Sequence, residues 1–247
     1  MIGLINFSHS DPLYLAIEDK EEVLRESPGK IFRLLEDGKL NLGMVSLVTY
    51  LENRDRYNLV KTANIHSLRT TMSTILVSRA NKIRDGMKIA VTAHTKTTEF
   101  YLSSVLQNLK VEYDLVHTDK TSADDLLDIA EYALVIGDEA ISVYGTDQNI
   151  LMDIGYEFSR LYHLSPVYAV MVTRGAPEDY EVEMLDRAVS GAEKYRDAAA
   201  MENSAKFGLP ESIFKRYYSL IRYDFNRNVE RTINFLSASP ISEKTIE

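Results

Sequence analysis

The chain has 247 residues, 45% hydrophobic and 26% charged, the make-up of a globular protein long enough to bury a full core in one domain or two. A formal net charge of -9, with no block of Lys and Arg, excludes a basic nucleic-acid-binding surface, and no apolar run reaches the roughly 20 residues that span a bilayer. The lack of cysteine excludes disulfides, thiolate catalysis and thiolate metal sites.

The first element predicted is a strand at 2–7, with no basic region or apolar signal core before it, so the expectation is a cytoplasmic protein without membrane or nucleic-acid partners. Further apolar runs rich in β-branched residues predict strands at 40–46, 74–79, 88–93, 112–117, 132–137 and 167–173. Between them, apolar residues recur at helical spacing, as at Ile31, Leu34 and Leu35 or at Leu126, Leu127, Ile129 and Ala130. Strands alternating with helices give an α/β class with largely parallel sheets. Residues 88–137 read as a self-contained βαβαβ unit set into another α/β lobe. The expected division is therefore 1–86 plus 167–247 as one lobe and 87–166 as the inserted lobe, with a ligand cleft between them. Asp85-Gly86 and His163 to Pro166 are the expected crossings. From Pro177 onward the pattern is helical, with a break at Gly208-Leu209-Pro210, then helices from Glu211 to Leu220 and from Asp224, as N-cap, to Leu236. The tail from Ser237 to Glu247 is polar and expected to fray.

Two turns gather hydroxyl groups around a cation: Ser67 to Thr71, enclosing Arg69, and Thr95 to Thr98, enclosing Lys96. The second follows a strand and opens a helix, where free N–H groups, hydroxyls and the positive end of the helix dipole suit a carboxylate or phosphate. The same residues also suit ordinary capping, with Thr97 as the helix cap. Three other strand ends stand out: Ser8-His9-Ser10-Asp11-Pro12 after the first strand, Ser46 as a cap after the second, and Gly137-Asp138, where Asp138 reads as an N-cap or a site carboxylate. The five histidines, His9, His66, His94, His117 and His163, lack metal-site spacing, and no Walker loop, dinucleotide fingerprint or nucleophile elbow is present. The sequence points to a small anion as ligand, with no cofactor and no metal.

The segments GMVSLVTYLENRDRY from Gly43 and IHS from Ile65, continuing to TILVSR from Thr74, are similar to motifs of the chorismate dehydratase family of the futalosine route to menaquinone. So are IAVTAHTKTT from Ile89, YALVIGDEAI from Tyr132 and the stretch from Asp153 to Met171, so that the resemblance runs in order from residue 2 to about 174. It implies a two-lobed fold like type 2 periplasmic binding proteins, each lobe a mixed sheet flanked by helices, and dehydration of chorismate to 3-[(1-carboxyvinyl)oxy]benzoate. Ser67, His9 and Asp138 would then be catalytic, and Ser46, Arg69, Lys96, Thr97 and Thr98 would bind the dicarboxylate substrate. In that reading the Ser67–Arg69 turn and the Lys96–Thr98 turn hold the two carboxylates from opposite lobes. The sister 1,4-dihydroxy-6-naphthoate synthases carry a histidine where this chain has Gly137, between Ile136 and Asp138, which lowers that alternative. A non-catalytic anion-binding protein is the other alternative. This chain departs from the dehydratase pattern at His9 in place of asparagine, Arg69 in place of glycine and Lys96 in place of arginine. A homodimer is left open.

Overall fold

A computed structural model describes residues 1–92 and 95–238. Ala93 and His94, which fall in the third family-like segment, and the tail from residue 239 lie outside the described residues. The strands are β1 (Ile2–Ile5), β2 (Val23–Glu26), β3 (Leu42–Ser46), β4 (Asn58–Ser67), β5 (Thr74–Ser78), β6 (Met87–Thr92), β7 (Tyr113–Thr118), β8 (Tyr132–Ile136), β9 (Ile150–Asp153), β10 (Val167–Thr173) and β11 (Ile221–Arg222). They form a six-stranded sheet in the order β11-β4-β10-β3-β1-β2 and a five-stranded sheet in the order β7-β6-β8-β5-β9. Both are mixed: β1 runs parallel to β2 and β3, and β6 to β7 and β8, while β10 and β5 run antiparallel to their neighbours.

Among the described residues the chain divides into two compact units, one of 1–66 with 167–238, the other of 67–92 with 95–166. The second crossing lies at Pro166 and Val167. The first lies at His66–Ser67 and not at Asp85-Gly86, because β5 pairs with β8 and β9 and so belongs to the second sheet. Asp85-Gly86 is instead a turn inside the second unit: Asp85 Oδ1 accepts the Glu112 N–H at 2.8 Å, and Gly86 takes a φ of 70° that favours glycine.

In the first unit the helix Pro28–Glu36 shows how sequence sets packing. Ser27 caps it by accepting the Lys30 N–H, Pro28 occupies the first turn, and Ile31 and Leu35 turn inward. They press so close to the sheet that a Cβ on Gly43 would lie 2.7 Å from Ile31 Cγ2 and 2.9 Å from Leu35 Cδ1. Glycine at that strand position is what allows the approach. The second unit has its own core, in which Ile75, Val77, Ala90 and Val135 from the sheet meet Leu126 and Leu127.

The C-terminal region is helical over Asp179–Gly191, Arg196–Phe207, Glu211–Leu220 and Arg227–Ala238, and Gly208 ends the second of these at a φ of 65°. The last helix starts later than expected. Asn226, not Asp224, caps it, its Oδ1 accepting the N–H groups of Asn228 at 2.8 Å and Val229 at 3.2 Å, while Asp224 accepts from the Asn226 amide. The helix also continues through Ser237, whose hydroxyl bonds back to Ile233 O.

Candidate functional site

In the first unit the parallel strands β1, β2 and β3 end on one edge of the sheet, and the expected residues His9 and Ser46 are both found there. Ser46 caps the helix Leu47–Glu52 as expected, its Oγ accepting the Thr49 N–H at 3.2 Å and lying 2.8 Å from Thr49 Oγ1. His9 sits in a 3-10 turn, Ser8–Ser10, that has no side-chain cap of its own. Longer-range bonds hold that turn. Tyr223 donates its hydroxyl to His9 O at 2.8 Å, and Ser8 Oγ donates to Asn203 Oδ1 at 3.1 Å. Burial, and then the Arg25 guanidinium, push the His9 imidazole down to about 3.

In the second unit three turns meet on one edge of the sheet. β6 and β8 are parallel, so their C-terminal ends, followed by Thr95–Thr98 and by Gly137-Asp138, lie on the same side. β5 is antiparallel to β8, with Thr74 opposite Ile136, so the Ser67–Thr71 turn that precedes it arrives there too, and Gly137 N–H bonds to Ser73 O at 2.8 Å. Ser67, Arg69, Lys96, Thr97, Thr98 and Asp138 therefore belong to a single unit. The expectation that the two hydroxyl turns stand on opposite lobes is overturned by the pairing of β5.

Within this edge the hydroxyls are buried and the cations are not. Ser67 is fully buried and donates its hydroxyl to Arg69 O at 3.0 Å, closing the turn, whereas the Arg69 side chain is exposed. Thr97 and Thr98 are buried in the first turn of the helix Lys96–Asn108, and Lys96 is exposed. Thr97 is not the cap. The cap position falls to Thr95, whose hydroxyl bonds to Thr92 O at 2.9 Å and lies 2.6 Å from the buried Glu99 carboxylate. Glu99 in turn lies 3.1 Å from His117 Nε2. Asp138 is not a cap either: the cap residue of the helix Gly137–Val143 is Ile136, and half-buried Asp138 stands inside the first turn.

Sequence reasoning gave no role to Asp153, which is central to this edge. Its carboxylate accepts the N–H groups of Thr71 at 3.0 Å, Met72 at 2.7 Å and Tyr156 at 2.9 Å. It thereby fastens the hydroxyl turn, including Met72 at a φ of 61°, to the helix Ile154–Tyr162. Burial pushes the Asp153 carboxyl up, against the donors that favour its charged form. An Asp just before a helical run is a cap signal that was there to read. Its second set of partners, at Thr71 and Met72, was not. The N-terminal end of the helix Lys96–Asn108 on this edge favours a carboxylate near it.

A family model described as menaquinone biosynthesis matches residues 1–238. The chain belongs to the menaquinone biosynthesis family. A comparison with curated proteins gave no match. Among solved structures, the protein AF1704 from Archaeoglobus fulgidus is similar at a TM-score of 0.72 and 16% identity, over 96% of this chain and 95% of that one. The periplasmic aliphatic sulphonate binding protein SsuA from Escherichia coli is similar at a TM-score of 0.68 and 13% identity, over 96% and 84%. A Candida albicans protein described as having the generic periplasmic binding protein fold is similar at a TM-score of 0.57 and 11% identity, over 99% and 92%. The periplasmic-binding-protein-like fold expected from the sequence is therefore the fold of this family member, and at these identities the likeness concerns fold alone. Among the described residues no helix is long and apolar enough to cross a membrane.

Proposed function

We propose that the protein is a chorismate dehydratase, converting chorismate to 3-[(1-carboxyvinyl)oxy]benzoate and water in menaquinone biosynthesis. The observation that supports this reading most is the meeting of three turns, around 67–71, 95–98 and 136–138, on one edge of the second sheet in a chain of this family. Chorismate carries two carboxylates, a ring hydroxyl and an enolpyruvyl ether. Ser67 with Arg69, and Thr97 and Thr98 with Lys96, take the carboxylates. Ser46 and His9 contact the ring hydroxyl or the ether oxygen.

The reaction breaks the C–H bond at the ring carbon bearing the ether and the C–O bond of the neighbouring hydroxyl. The electron pair of the C–H bond completes the aromatic ring, and the hydroxyl leaves with a proton as water. With its imidazole held at about 3, His9 would have to be charged at a cost of about 5 kcal/mol near neutral pH, so it serves as a hydrogen-bond partner and not as the base. The substrate's own enolpyruvyl carboxylate takes the ring proton, with Asp138 as the protein alternative. The protein's contribution is orientation, which selects this elimination among the several open to chorismate.

Purified protein incubated with chorismate should yield the aromatic enolpyruvyl ether, read by NMR. Tight binding without product would overturn the dehydratase reading in favour of a binding protein. Ser67→Ala and Thr97→Ala should each lower kcat/KM about tenfold or more with unchanged circular dichroism. His9→Asn should remain active.

A further inference from the structure

We propose that Asn203 and Tyr223, from the C-terminal region, are positioning residues that act through His9. The kinetic part of this inference rests on the dehydratase reading. The 3-10 turn Ser8–Ser10 is short and has no side-chain N-cap; the Ser10 N–H closes it on Phe7 O at 2.9 Å. Two further ties come from far along the chain. Asn203, 3% exposed in the helix Arg196–Phe207, accepts the Ser8 hydroxyl at 3.1 Å and donates its amide to Asp11 Oδ2 at 2.7 Å. The same amide lies 2.9 Å from the Tyr218 hydroxyl and 3.0 Å from Ala199 O, which pins its orientation. One side chain thus grips the residues on either side of the His9-Ser10 pair.

Tyr223 holds the middle of the turn. Its hydroxyl donates to His9 O at 2.8 Å, and its own carbonyl accepts both the backbone N–H and the side-chain amide of Asn64, each at 3.0 Å, so the phenol projects from a strand-anchored position. The Arg25 guanidinium on β2 acts on the His9 imidazole and is itself paired with Asp11 of the helix Asp11–Leu15. Together these contacts fix the His9 backbone on the sheet edge that also carries Ser46, and the ring packs beside Phe7, centroids 5.7 Å apart. A ring that must meet a single substrate oxygen depends on that placement, since small displacements of a contacting group are costly in rate.

Tyr223→Phe and Asn203→Ala, each made in the wild-type and in a His9→Ala background, test this. In the wild type each should lower kcat about tenfold, and in His9→Ala the further loss should shrink below about twofold, the mark of residues acting through one group. Equal losses in both backgrounds would mean a structural role and overturn the proposal. A second readout needs no turnover: by NMR, the His9 imidazole should titrate closer to its ordinary value in either variant. An unmoved His9 titration would also overturn the proposal. If Asn203→Ala does not fold, Tyr223→Phe, which keeps the buried ring, decides the matter alone. If the wild type makes no product from chorismate, the dehydratase reading falls and the NMR result still decides the positioning role.

Discussion

Acidification probes His66, the fully buried histidine at the end of β4. Its Nδ1 lies 2.8 Å from Asn64 Oδ1, and its Nε2 lies 3.5 Å from Asn226 Nδ2. The Asn226 amide is oriented by its cap bonds to Asn228 and Val229, which require its oxygen on the other side. Nε2 therefore faces an NH2 group and must be the unprotonated nitrogen, with the ring hydrogen on Nδ1. Burial holds this imidazole down to about 4, against the raising field of Asp224 and with the lowering field of Arg222. Because the folded value lies below the unfolded one, the unfolded chain takes up a proton as the pH falls from about 6.5 to about 4 and the native chain does not. Stability is lost across that window. From about pH 7 to about pH 4.5 the loss from this group is about 2.5 kcal/mol, at about 1.4 kcal/mol per unit, a readable part of a typical ~5–15 kcal/mol. The chain has no tryptophan, so urea unfolding is best followed by far-ultraviolet circular dichroism. Wild type and His66→Gln should be compared at both pH values. His9, which also resists protonation, is common to both and cancels. The wild type should lose about 2.5 kcal/mol more than the variant, and equal losses would refute a buried neutral imidazole.

Asn226→Ala should cost about 1 kcal/mol through loss of the cap, and Asp224→Ala markedly less, measured by chemical denaturation; the reverse order would restore Asp224 as the cap. Asp153→Asn replaces one accepting oxygen with an NH2 group facing backbone donors, so about 2–3 kcal/mol should be lost, with Thr71 and Met72 amides exchanging faster by NMR. Arg69→Gly and Lys96→Arg, which restore the family's residues, should change KM for chorismate by less than about threefold at ordinary salt, because both side chains are exposed. A much larger rise in KM for Arg69→Gly would make that cation a main carboxylate contact.

The strands visible in the sequence were those with apolar runs: β1, β3, β5, β6, β7, β8 and β10. The strand β4 escaped because it buries Thr62, Asn64 and His66, and polar residues read as a loop until their partners are known. Those of Asn64 and His66 stand at Tyr223 and Asn226, far beyond any local window. The edge strand β2 mixes Arg25 and Glu26 into a half-buried run, β9 is half-buried throughout, and β11 has only two residues. The misplaced crossing has the same origin. The parallel block starting at β6 is a local pattern, but the place of β5 depends on antiparallel pairing with strands that follow it by many residues. Strand-end hydroxyls at Ser67 and Thr95 do stand at turns, since strand and helix ends are local patterns, although the caps fall at Thr95 and Ile136 and not at Thr97 and Asp138. Which turns share a sheet edge is a matter of register, which sequence spacing does not carry.

That shared edge changes the physical reading of the departures at Arg69 and Lys96. Had the turns stood on separate units, each cation would have been the only charge offered to its carboxylate. Placed on one edge, the hydroxyls of Ser67, Thr97 and Thr98 are buried, with Ser67 donating to Arg69 O and the Thr71 and Met72 N–H groups to Asp153, while Arg69 and Lys96 are exposed. An exposed cation loses most of its Coulomb energy to water and salt, and a buried hydroxyl keeps its directionality. A buried donor that must be satisfied also rejects a ligand lacking the matching acceptor more strongly than a solvated charge can. Under the dehydratase proposal, Arg69 in place of glycine and Lys96 in place of arginine are compatible with an unchanged substrate, because both side chains are exposed and Asp153, which fastens the first turn, is kept.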